Sequence, residues 1–560
     1  MEKAGYAGRK RKKRDFCNKK PHSAGVAQRV GILHLPIKLS LIQKVACMKI
    51  QFGTILSLFH GSMLFAQVSL KDIASEHGNY RVGFRHYLTV DSTRTYKRIY
   101  DWNNQQIFRP VSVSVWYPST QKPKNVSNMR VLDYMEILKE EEEWEHLPND
   151  QILNWFYYPN TPGNRKHLAE QTTAFRGIRP ATGKFAVLIY APSYQASAIE
   201  NFSLCEYLAS HGYLVLSSPS RGTENRSMEG GSVKDMETQA RDIEFLIKEA
   251  STNANANPDQ IATIGFSFGG LSNVLAQMRN ARIKAIVSLD GSIKYQYPTL
   301  KKSAFADLKR VNVPFIHMAQ KDIPEKVLRE DKIDGALNSK FEFYDSLKYS
   351  KAYSFKFHNL THSNFSTLGV LFQPRDARQD KPDSDIATSY KLVSKYTLAF
   401  LDAYLANDAK ALSFLEHDPG GKGINEAYIS KKEKDPEALP FSFHDFNELA
   451  LKEGYANLEK LYDSLRMKHA ALGLEEGNLN NLGLQLLFNR KTSAQGINIL
   501  LLAVTIYPKS ANLFDSLAEG YLYTGNKEKA ILNFEKSLQL DATNQNALNR
   551  LQELRNRASR

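Results

Sequence analysis

Short apolar runs alternate with amphipathic stretches through the middle of the chain. The run at 185–190 has no polar alternation, which is typical of a strand that is buried on both faces of a sheet. Similar runs follow at 213–216, 261–264, 283–289, 313–319 and 353–357, and residues 235–250 carry apolar positions at helical spacing. Strands that alternate with helices predict a mostly parallel sheet with right-handed crossovers. The alternating segments 80–90 and 111–117 predict an antiparallel start.

One serine lies between a predicted strand and a predicted helix. Residues 265–269 read Gly-Phe-Ser-Phe-Gly, after the apolar run 261–264 and before the helical stretch 271–278. A nucleophile elbow needs this context because the sharp turn strains the serine backbone, while the flanking glycines let the strand and the helix approach closely. We therefore predict an α/β-hydrolase fold with Ser267 as the nucleophile, at the carboxyl end of its strand.

A serine nucleophile needs a base and an acid that orients the base. In this fold the acid follows the serine along the chain and the histidine follows the acid. His362 lies just past the last predicted strand, with His358 as a competitor. Asp290 and Asp322 each follow a predicted strand, so topology leaves both acids open.

Three short blocks resemble the motifs of the platelet-activating-factor acetylhydrolase family. They are Gly-Phe-Ser-Phe-Gly-Gly at 265–270, Ser-Leu-Asp at 288–290 and Thr-His-Ser-Asn-Phe at 361–365. The segment Tyr-Leu-Ala-Ser-His-Gly-Tyr at 207–213 is also similar, and the resemblance spans about 80–406. That family and its dienelactone-hydrolase-like bacterial relatives are serine esterases. The resemblance implies Asp290 as the acid and acetylated phospholipid as one substrate.

The chain departs from that family at the loop that would stabilise an oxyanion. The family usually has a His-Gly pair after the buried strand, whereas this chain reads Ala-Pro-Ser-Tyr-Gln at 191–195. We expect the backbone N–H groups of Phe268 and Tyr194 to be the two donors of an oxyanion hole. Pro192 has no N–H, but it does not occupy a position that must donate.

The mechanism that these residues predict needs no cofactor. His362 takes the proton of Ser267 as the serine attacks an ester carbonyl, and Asp290 stabilises the imidazolium. An acyl-enzyme forms, and water then releases the acid. The sequence has no His, Cys and carboxylate cluster at metal spacing, no Walker A motif and no dinucleotide-binding glycine motif. A small-molecule or lipid ester is the expected substrate, and a serine peptidase on the same fold is the alternative.

Residues 121–184 form an insertion between the early strands and the main sheet. The insertion holds an acidic run at 140–145, which is typical of a solvated helix face, and an aromatic run at 155–158. The aromatic side chains suit either a core or a pocket. Our hypothesis is that the insertion caps the site and selects the substrate.

The positive charge is concentrated at the start of the chain. The formal net charge is +15, and residues 1–66 hold thirteen Lys and Arg residues against two acidic ones. From Met48, a short basic start, an apolar stretch and a small residue at 66 are typical of a secretory signal peptide. We expect 1–47 to be a spurious or basic leader and 48–66 a cleaved signal. The mature protein is then secreted or periplasmic, with no stable transmembrane anchor and no nucleic-acid partner.

A second domain is predicted after the hydrolase region, 67–416. A polar stretch at 417–440 is interpreted as a linker, and all-α helical repeats are expected at 441–560. Packing residues recur there with a period of 34, and 511–544 resembles a tetratricopeptide repeat, with weaker matches at 477–510 and 446–469. Such repeats present a surface to peptides or partner proteins. A non-enzymatic binding protein with an inactive hydrolase half is therefore a further alternative.

Overall fold

The computed structural model of the protein describes residues 68–558, apart from 100–102, 104, 125, 143–145, 331–333, 377 and 470–471. The expected leader, 1–47, and the expected signal peptide, 48–66, lie outside the described residues. The chain divides into two units, one up to Pro436 and one from Glu437. Among the described helices, none combines the length and the hydropathy needed to cross a membrane.

Among the described residues, ten strands form one sheet in the first unit. In chain order they are β1 (Arg81–Lys97), β2 (Gln106–Ser119), β3 (Ala174–Arg176), β4 (Phe185–Ala191), β5 (Leu214–Ser217), β6 (Ala256–Phe266), β7 (Ile283–Leu289), β8 (Phe315–Ala319), β9 (Ala352–Phe357) and β10 (Ile429–Lys434). Their order across the sheet is β10-β9-β8-β7-β6-β4-β5-β2-β1-β3. The strands from β5 through β4, β6, β7 and β8 to β9 are parallel, whereas β1 with β2, β2 with β5, and β9 with β10 are antiparallel. This is the α/β-hydrolase fold that the apolar runs predict.

Helices pack on both faces of the sheet. They are α1 (Leu70–Ile73), α2 (Val131–Met135), α3 (Ile137–Glu142), α4 (Ile152–Trp155), α5 (Pro162–Leu168), α6 (Phe202–Ser210), α7 (Val233–Ser251), α8 (Gly269–Arg279), α9 (Tyr297–Lys301), α10 (Glu325–Glu330), α11 (Glu342–Ser346), α12 (Thr367–Leu371), α13 (Asp383–Leu405) and α14 (Ala409–Glu416). One core includes side chains of α6 and α13, and a second includes side chains of α7 and α8. Along β4, Leu188 and Tyr190 belong to the first core, while Val187 and Ile189 belong to the second. Because both faces are covered, the strand is apolar without alternation.

The polar stretch 417–440 is not a free linker, so this expectation is corrected. Its residues Ile429–Lys434 form β10, which pairs antiparallel with β9 at the edge of the sheet. Ile429 is buried, while most of the following side chains are charged. Charged side chains are common on edge strands because they discourage pairing with other chains. The polar and charged residues of this segment therefore suit an exposed edge strand as well as a linker, and its composition does not distinguish the two.

The acidic run of the insertion is not a uniformly solvated face. Residues 143–145 of this run lie outside the described residues. The side chain of Glu141 is fully buried and lies 3.5 Å from the Arg221 guanidinium. Its carboxylate also accepts the backbone N–H of Ala198 at 2.9 Å. The expectation of a solvated face is therefore wrong at Glu141, because the insertion packs against a loop of the main sheet.

The aromatic run of the insertion divides between core and surface. Phe156 and Tyr158 pack against the core that contains α6 and α13, and the Tyr158 ring lies 4.9 Å from that of Phe372. Trp155 and Tyr157 are exposed, with 39% and 85% of their surface accessible. The choice between core and pocket that the sequence left open therefore goes to the core for Phe156 and Tyr158.

Helices are the regular elements of the second unit in its described part. Its helices are α15 (Phe443–Lys452), α16 (Leu458–Lys468), α17 (Glu476–Leu487), α18 (Ser493–Ile506), α19 (Ala511–Tyr523), α20 (Lys527–Leu540) and α21 (Gln545–Ala558). Helices α18 and α20 begin and end 34 residues apart, which is the period seen in the sequence. The tetratricopeptide interpretation of these helices stays a prediction.

Candidate active site

Ser267 occupies the turn between β6 and α8. Its φ is +53°, in the left-handed region that strains a residue with a side chain. A Cβ added to Gly265 would lie 2.2 Å from the Gly269 carbonyl oxygen, and one added to Gly269 would lie 2.0 Å from the carbonyl oxygen of Ala191. Only glycine fits at these two positions, so the turn can hold the serine out at the end of the strand.

The strand register brings three polar residues to one edge of the sheet. Ser267 follows β6, Asp290 follows β7 and Gln320 follows β8. Phe266 pairs with Leu289 across β6 and β7, so Ser267 and Asp290 leave their strands at the same level. The carboxyl ends of parallel strands meet at one edge, which is where open α/β sheets bind ligands.

His362 joins the serine to the acid. It begins a 3-10 turn, His362–Phe365, that follows β9. Its Nε2 lies 2.8 Å from Ser267 Oγ, and its Nδ1 lies 2.6 Å from Asp290 Oδ2. An ionised carboxylate can only accept, so Nδ1 carries the proton and Nε2 is left to accept from the serine hydroxyl. This is the arrangement that makes a serine nucleophilic.

Asp290 is held in its ionised form. Burial by itself would raise its pKa, but the hydrogen bond with His362 and the charge of that imidazole hold the pKa of Asp290 below its ordinary value. Its other oxygen accepts from the Tyr295 hydroxyl at 3.1 Å and from the Gln320 N–H at 3.1 Å. A carboxylate with these donors can stabilise an imidazolium without taking its proton.

The competing residues of the sequence have other partners. Asp322 accepts from Lys356 Nζ at 2.6 Å, and its side chain is 60% exposed. Of the two histidines, His362 is the one whose imidazole contacts Ser267. Of the two acids left open by topology, Asp290 is the one that contacts His362.

Gln320 and Tyr295 support the site and were missed from the sequence. Gln320 Oε1 accepts the backbone N–H of His362 at 3.1 Å, and its Nε2 donates to the Tyr295 hydroxyl at 3.2 Å. Gln320 therefore ties the histidine loop to the acid. Its place directly after a buried strand, like that of Ser267, was the available signal, whereas nothing in the sequence distinguishes Tyr295.

Phe268 and Tyr194 are the two residues expected to form the oxyanion hole, and Phe268 directly follows Ser267 in the chain. Within the described part of the chain, neither backbone N–H donates a hydrogen bond to a protein group. The two rings meet edge to face at 6.0 Å between centroids. The Tyr194 hydroxyl donates to the Met228 carbonyl at 3.0 Å and accepts the N–H of Gly230 at 2.9 Å. Their role as oxyanion donors stays a prediction.

The loop that lacks the His-Gly pair is fastened by other contacts. Gln195, with φ of +57°, donates from Nε2 to the Arg226 carbonyl at 2.6 Å and accepts the Met228 N–H at 2.8 Å. The carbonyl of Pro192 accepts from Gln239 Nε2 at 2.8 Å. A loop held at several points can keep a backbone donor aimed without the usual motif.

No metal site accompanies this machinery in the described residues. No group of three or more His, Cys, Asp or Glu residues is placed there to hold an ion. Cys205 is buried on α6, and burial raises the pKa of its thiol well above the ordinary value. A thiol kept protonated in this way is a poor nucleophile.

The chain is similar to one family of known hydrolases. The model of the X-Pro dipeptidyl-peptidase (S15) family matches residues 137–302, a segment that includes Ser267 and Asp290. The match supports a hydrolase of the α/β type with a serine nucleophile. No curated protein matches the chain. Among solved structures, ferulic acid esterase from Streptomyces cinnamoneus is 17% identical over 65% of this chain and 99% of that chain, with a TM-score of 0.43.

Proposed function

We propose that the protein is a serine hydrolase that cleaves carboxylic esters through Ser267, His362 and Asp290. The observation that carries this proposal is the continuous chain of hydrogen bonds from the serine hydroxyl through the imidazole to a buried carboxylate. The strained turn that places the serine at the end of its strand adds to it.

The reaction follows from these contacts. Ser267 Oγ attacks the ester carbonyl carbon while His362 Nε2 takes its proton, and the carbonyl electrons move to the oxygen. The N–H groups of Phe268 and Tyr194 stabilise this oxyanion. The imidazolium protonates the departing alcohol, and the acyl group remains on the serine. Water then loses a proton to His362 and attacks the acyl carbon. The bond from this carbon to Ser267 Oγ breaks, the acid leaves, and the imidazolium returns its proton to Ser267 Oγ.

A short acyl ester, including an acetyl or lipid-like ester, is the substrate that we propose. The support is the resemblance of the three motif blocks to the platelet-activating-factor acetylhydrolase family. The insertion would select among esters through its exposed rings, Trp155 and Tyr157. Alanine substitution of both should change the preference among acyl chain lengths. An unchanged ranking of p-nitrophenyl esters would count against a selecting role.

The first test is to label the protein with a fluorophosphonate and to measure turnover of p-nitrophenyl acetate. We expect both activities in the native protein and neither in Ser267→Ala. Ser339→Ala, which changes an exposed serine, is the matched control and should keep both. A native protein that neither labels nor turns over ester would refute the proposal.

A serine peptidase is the second candidate function. The observation that favours it is the match to the X-Pro dipeptidyl-peptidase family over residues 137–302. Ala-Pro-p-nitroanilide and p-nitrophenyl acetate distinguish the two activities on one preparation. A kcat/KM for the anilide that exceeds the value for the ester would favour the peptidase.

We also propose that residues 48–66 direct export of the protein. The support is the basic start, the apolar stretch and the small residue at 66. Sequencing the amino terminus of protein recovered from the periplasm or the medium should give a start at Gln67. Recovery of the protein in the cytoplasm alone, with this segment intact, would contradict export.

A further inference from the structure

A buried carboxylate holds the residue directly before Tyr194. Glu200 Oε2 accepts the backbone N–H of Ser193 at 2.8 Å, and Oε1 accepts the Ser193 hydroxyl. The Tyr190 hydroxyl also donates to Glu200, at 3.5 Å. Glu200 has 8% of its surface exposed. Both its oxygens are thus committed to the loop and to the strand before it.

The backbone of Glu200 is fixed as well. Its N–H donates to the Ser197 carbonyl at 3.3 Å, and its carbonyl accepts the N–H of Leu368 at 3.3 Å. Leu368 belongs to α12, which closely follows the turn that carries His362. Glu200 therefore contacts the oxyanion loop through its carboxylate and the chain segment after His362 through its backbone carbonyl.

The clamp on Ser193 restrains the peptide group that follows it. The N–H of Tyr194 belongs to the peptide that joins Ser193 to Tyr194, and this peptide is planar. Fixing the N–H and the side chain of Ser193 limits rotation of the peptide that follows. A donor contributes fully only when it is already aimed at the place where the negative charge develops.

We propose that Glu200 is a positioning residue that holds Ser193 and thereby aims the Tyr194 N–H at the oxyanion of the reaction. The inference rests on the proposed function, since it concerns the same reaction at the same serine. Glu200 acts through Ser193 and has no contact with the reacting atoms in this mechanism.

The titratable groups around Glu200 are two tyrosines and a histidine. Tyr190 comes from β4, Tyr158 from the insertion and His362 from the turn after β9. Burial raises the pKa of Glu200 to about 7, while the Ser193 hydrogen bonds and the charge of His362 act in the opposite direction. Glu200 should therefore change charge near neutral pH.

Two substitutions of Glu200 distinguish the effect of its hydrogen bonds to Ser193 from the effect of its charge. Glu200→Gln keeps an oxygen that accepts the Ser193 N–H and an amide that donates to its hydroxyl, but it cannot titrate. Glu200→Ala removes the clamp. The readouts are the rate at which a fluorophosphonate labels Ser267, and kcat and KM for p-nitrophenyl acetate.

We expect Glu200→Ala to lower kcat and the labelling rate about 10²–10³-fold, which is the effect of losing one oxyanion donor, with little change in KM. Glu200→Gln should recover most of this loss. The pH profile of the labelling rate should show two ionisations in the native protein and one in Glu200→Gln. A merely structural role would not change the profile in this way.

Glu206→Gln is the matched control. Glu206 is another buried carboxylate, which accepts from the Tyr134 hydroxyl at 2.8 Å and from the Thr173 hydroxyl at 2.7 Å. The fluorophosphonate should label the Glu206→Gln protein at the native rate, and this variant should hydrolyse p-nitrophenyl acetate at the native rate. If Glu200→Ala does not fold, Ser193→Ala serves in its place, because it removes one of the two contacts and should give a smaller loss.

The outcomes distinguish this inference from the proposed function. A folded Glu200→Ala protein that is labelled as fast as the native protein would overturn the positioning role. A loss of labelling rate in Glu206→Gln equal to that in Glu200→Ala would overturn it as well. A native protein that labels but hydrolyses no ester would refute the ester substrate and leave the labelling comparison valid. A native protein that does not label would refute both.

Discussion

At the scale of single residues, His362 distinguishes between two similar aspartates. Asp290 and Asp322 both follow strands, yet one is buried against the imidazole and the other is exposed beside Lys356. The side chain of Asp290 is 0% exposed, so its hydrogen bond with His362 is shielded from water. Shielding strengthens the interaction between a carboxylate and the imidazolium that forms during the reaction.

Replacing Asp290 by asparagine should lower kcat about 10⁴-fold, because an amide can donate to Nδ1 and favour the wrong imidazole tautomer. The measurement is turnover of p-nitrophenyl acetate, together with the rate of fluorophosphonate labelling. Asp322→Asn is the control and should keep the native rate. A larger loss in Asp322→Asn than in Asp290→Asn would reverse the assignment of the acid.

Glu200 should make stability depend on pH. Its pKa rises from 4.5 to about 7 on folding because it is buried, so the folded protein binds this proton more tightly than the unfolded chain does. The benefit is complete below pH 4.5 and is lost as the pH rises through about 7. The free energy of unfolding should therefore fall by about 3 kcal/mol relative to Glu200→Gln across this range.

Denaturant unfolding of both proteins at several pH values gives this difference directly. Comparison with Glu200→Gln cancels the titration of all other groups. A constant difference between the two proteins from pH 4.5 to pH 7 would show that the pKa of Glu200 is not raised.

At the scale of elements, the elbow depends on close contact between backbones. The carbonyl of Ala191 lies where a Cβ on Gly269 would have to be, at 2.0 Å. Gly269→Ala must therefore move α8 away from the end of β4. We expect a loss of about 1–3 kcal/mol in the free energy of unfolding, as in other overpacked sites, together with slower labelling of Ser267.

Gly421→Ala is the control for this prediction. A Cβ at Gly421 would meet no atom within 4 Å, and its φ lies outside the left-handed region. It should leave both the stability and the labelling rate unchanged. Equal effects of the two substitutions would mean that close approach at Gly269 does not determine the turn.

One side chain of the edge strand β10 packs in the hydrophobic core. Ile429 is 1% exposed and packs with the core that includes α13. Ile429→Ala should cost about 2–5 kcal/mol, because it leaves a cavity. Lys432→Ala, on an exposed position of the same strand, should change stability by less than about 0.5 kcal/mol. Similar small effects at both positions in denaturant unfolding would restore the linker interpretation.

At the scale of the whole molecule, the chain has two units with separate hydrophobic cores. Two cores lie in the first unit and two in the second, among the described residues. A unit with its own core can fold by itself. We expect the fluorophosphonate to label Ser267 in a fragment of residues 67–436 at the same rate as in the full chain. A fragment of residues 437–560 should give a helical circular dichroism spectrum.

Cutting the chain just before β10 is the control for this division. A protein that ends at 428 lacks the edge strand and the buried Ile429, and it should be less stable than one that ends at 436. Loss of labelling in the longer fragment would show that the site depends on the second unit. Such a result would favour a functional role for the helical unit, which is predicted to bind a protein partner.

Much of the first unit follows from local sequence signals. The apolar run at 283–289 coincides with β7, and the run at 185–190 lies within β4. The Gly-Phe-Ser-Phe-Gly motif spans the junction of β6 and α8, as its spacing predicts. Strand burial, helix periodicity and turn chemistry are each encoded within a few neighbouring residues, so they can be identified before the fold is known.

The sequence by itself determined the fold class, the position of the serine turn and a short set of partners for the serine. Only the tertiary structure decided which aspartate contacts His362, that Glu141 is buried, and that Glu200 clamps Ser193. These contacts join residues that are distant along the chain or lie on different elements. Their energy depends on burial and on exact distance, neither of which is fixed until the strands pair and the insertion packs against them.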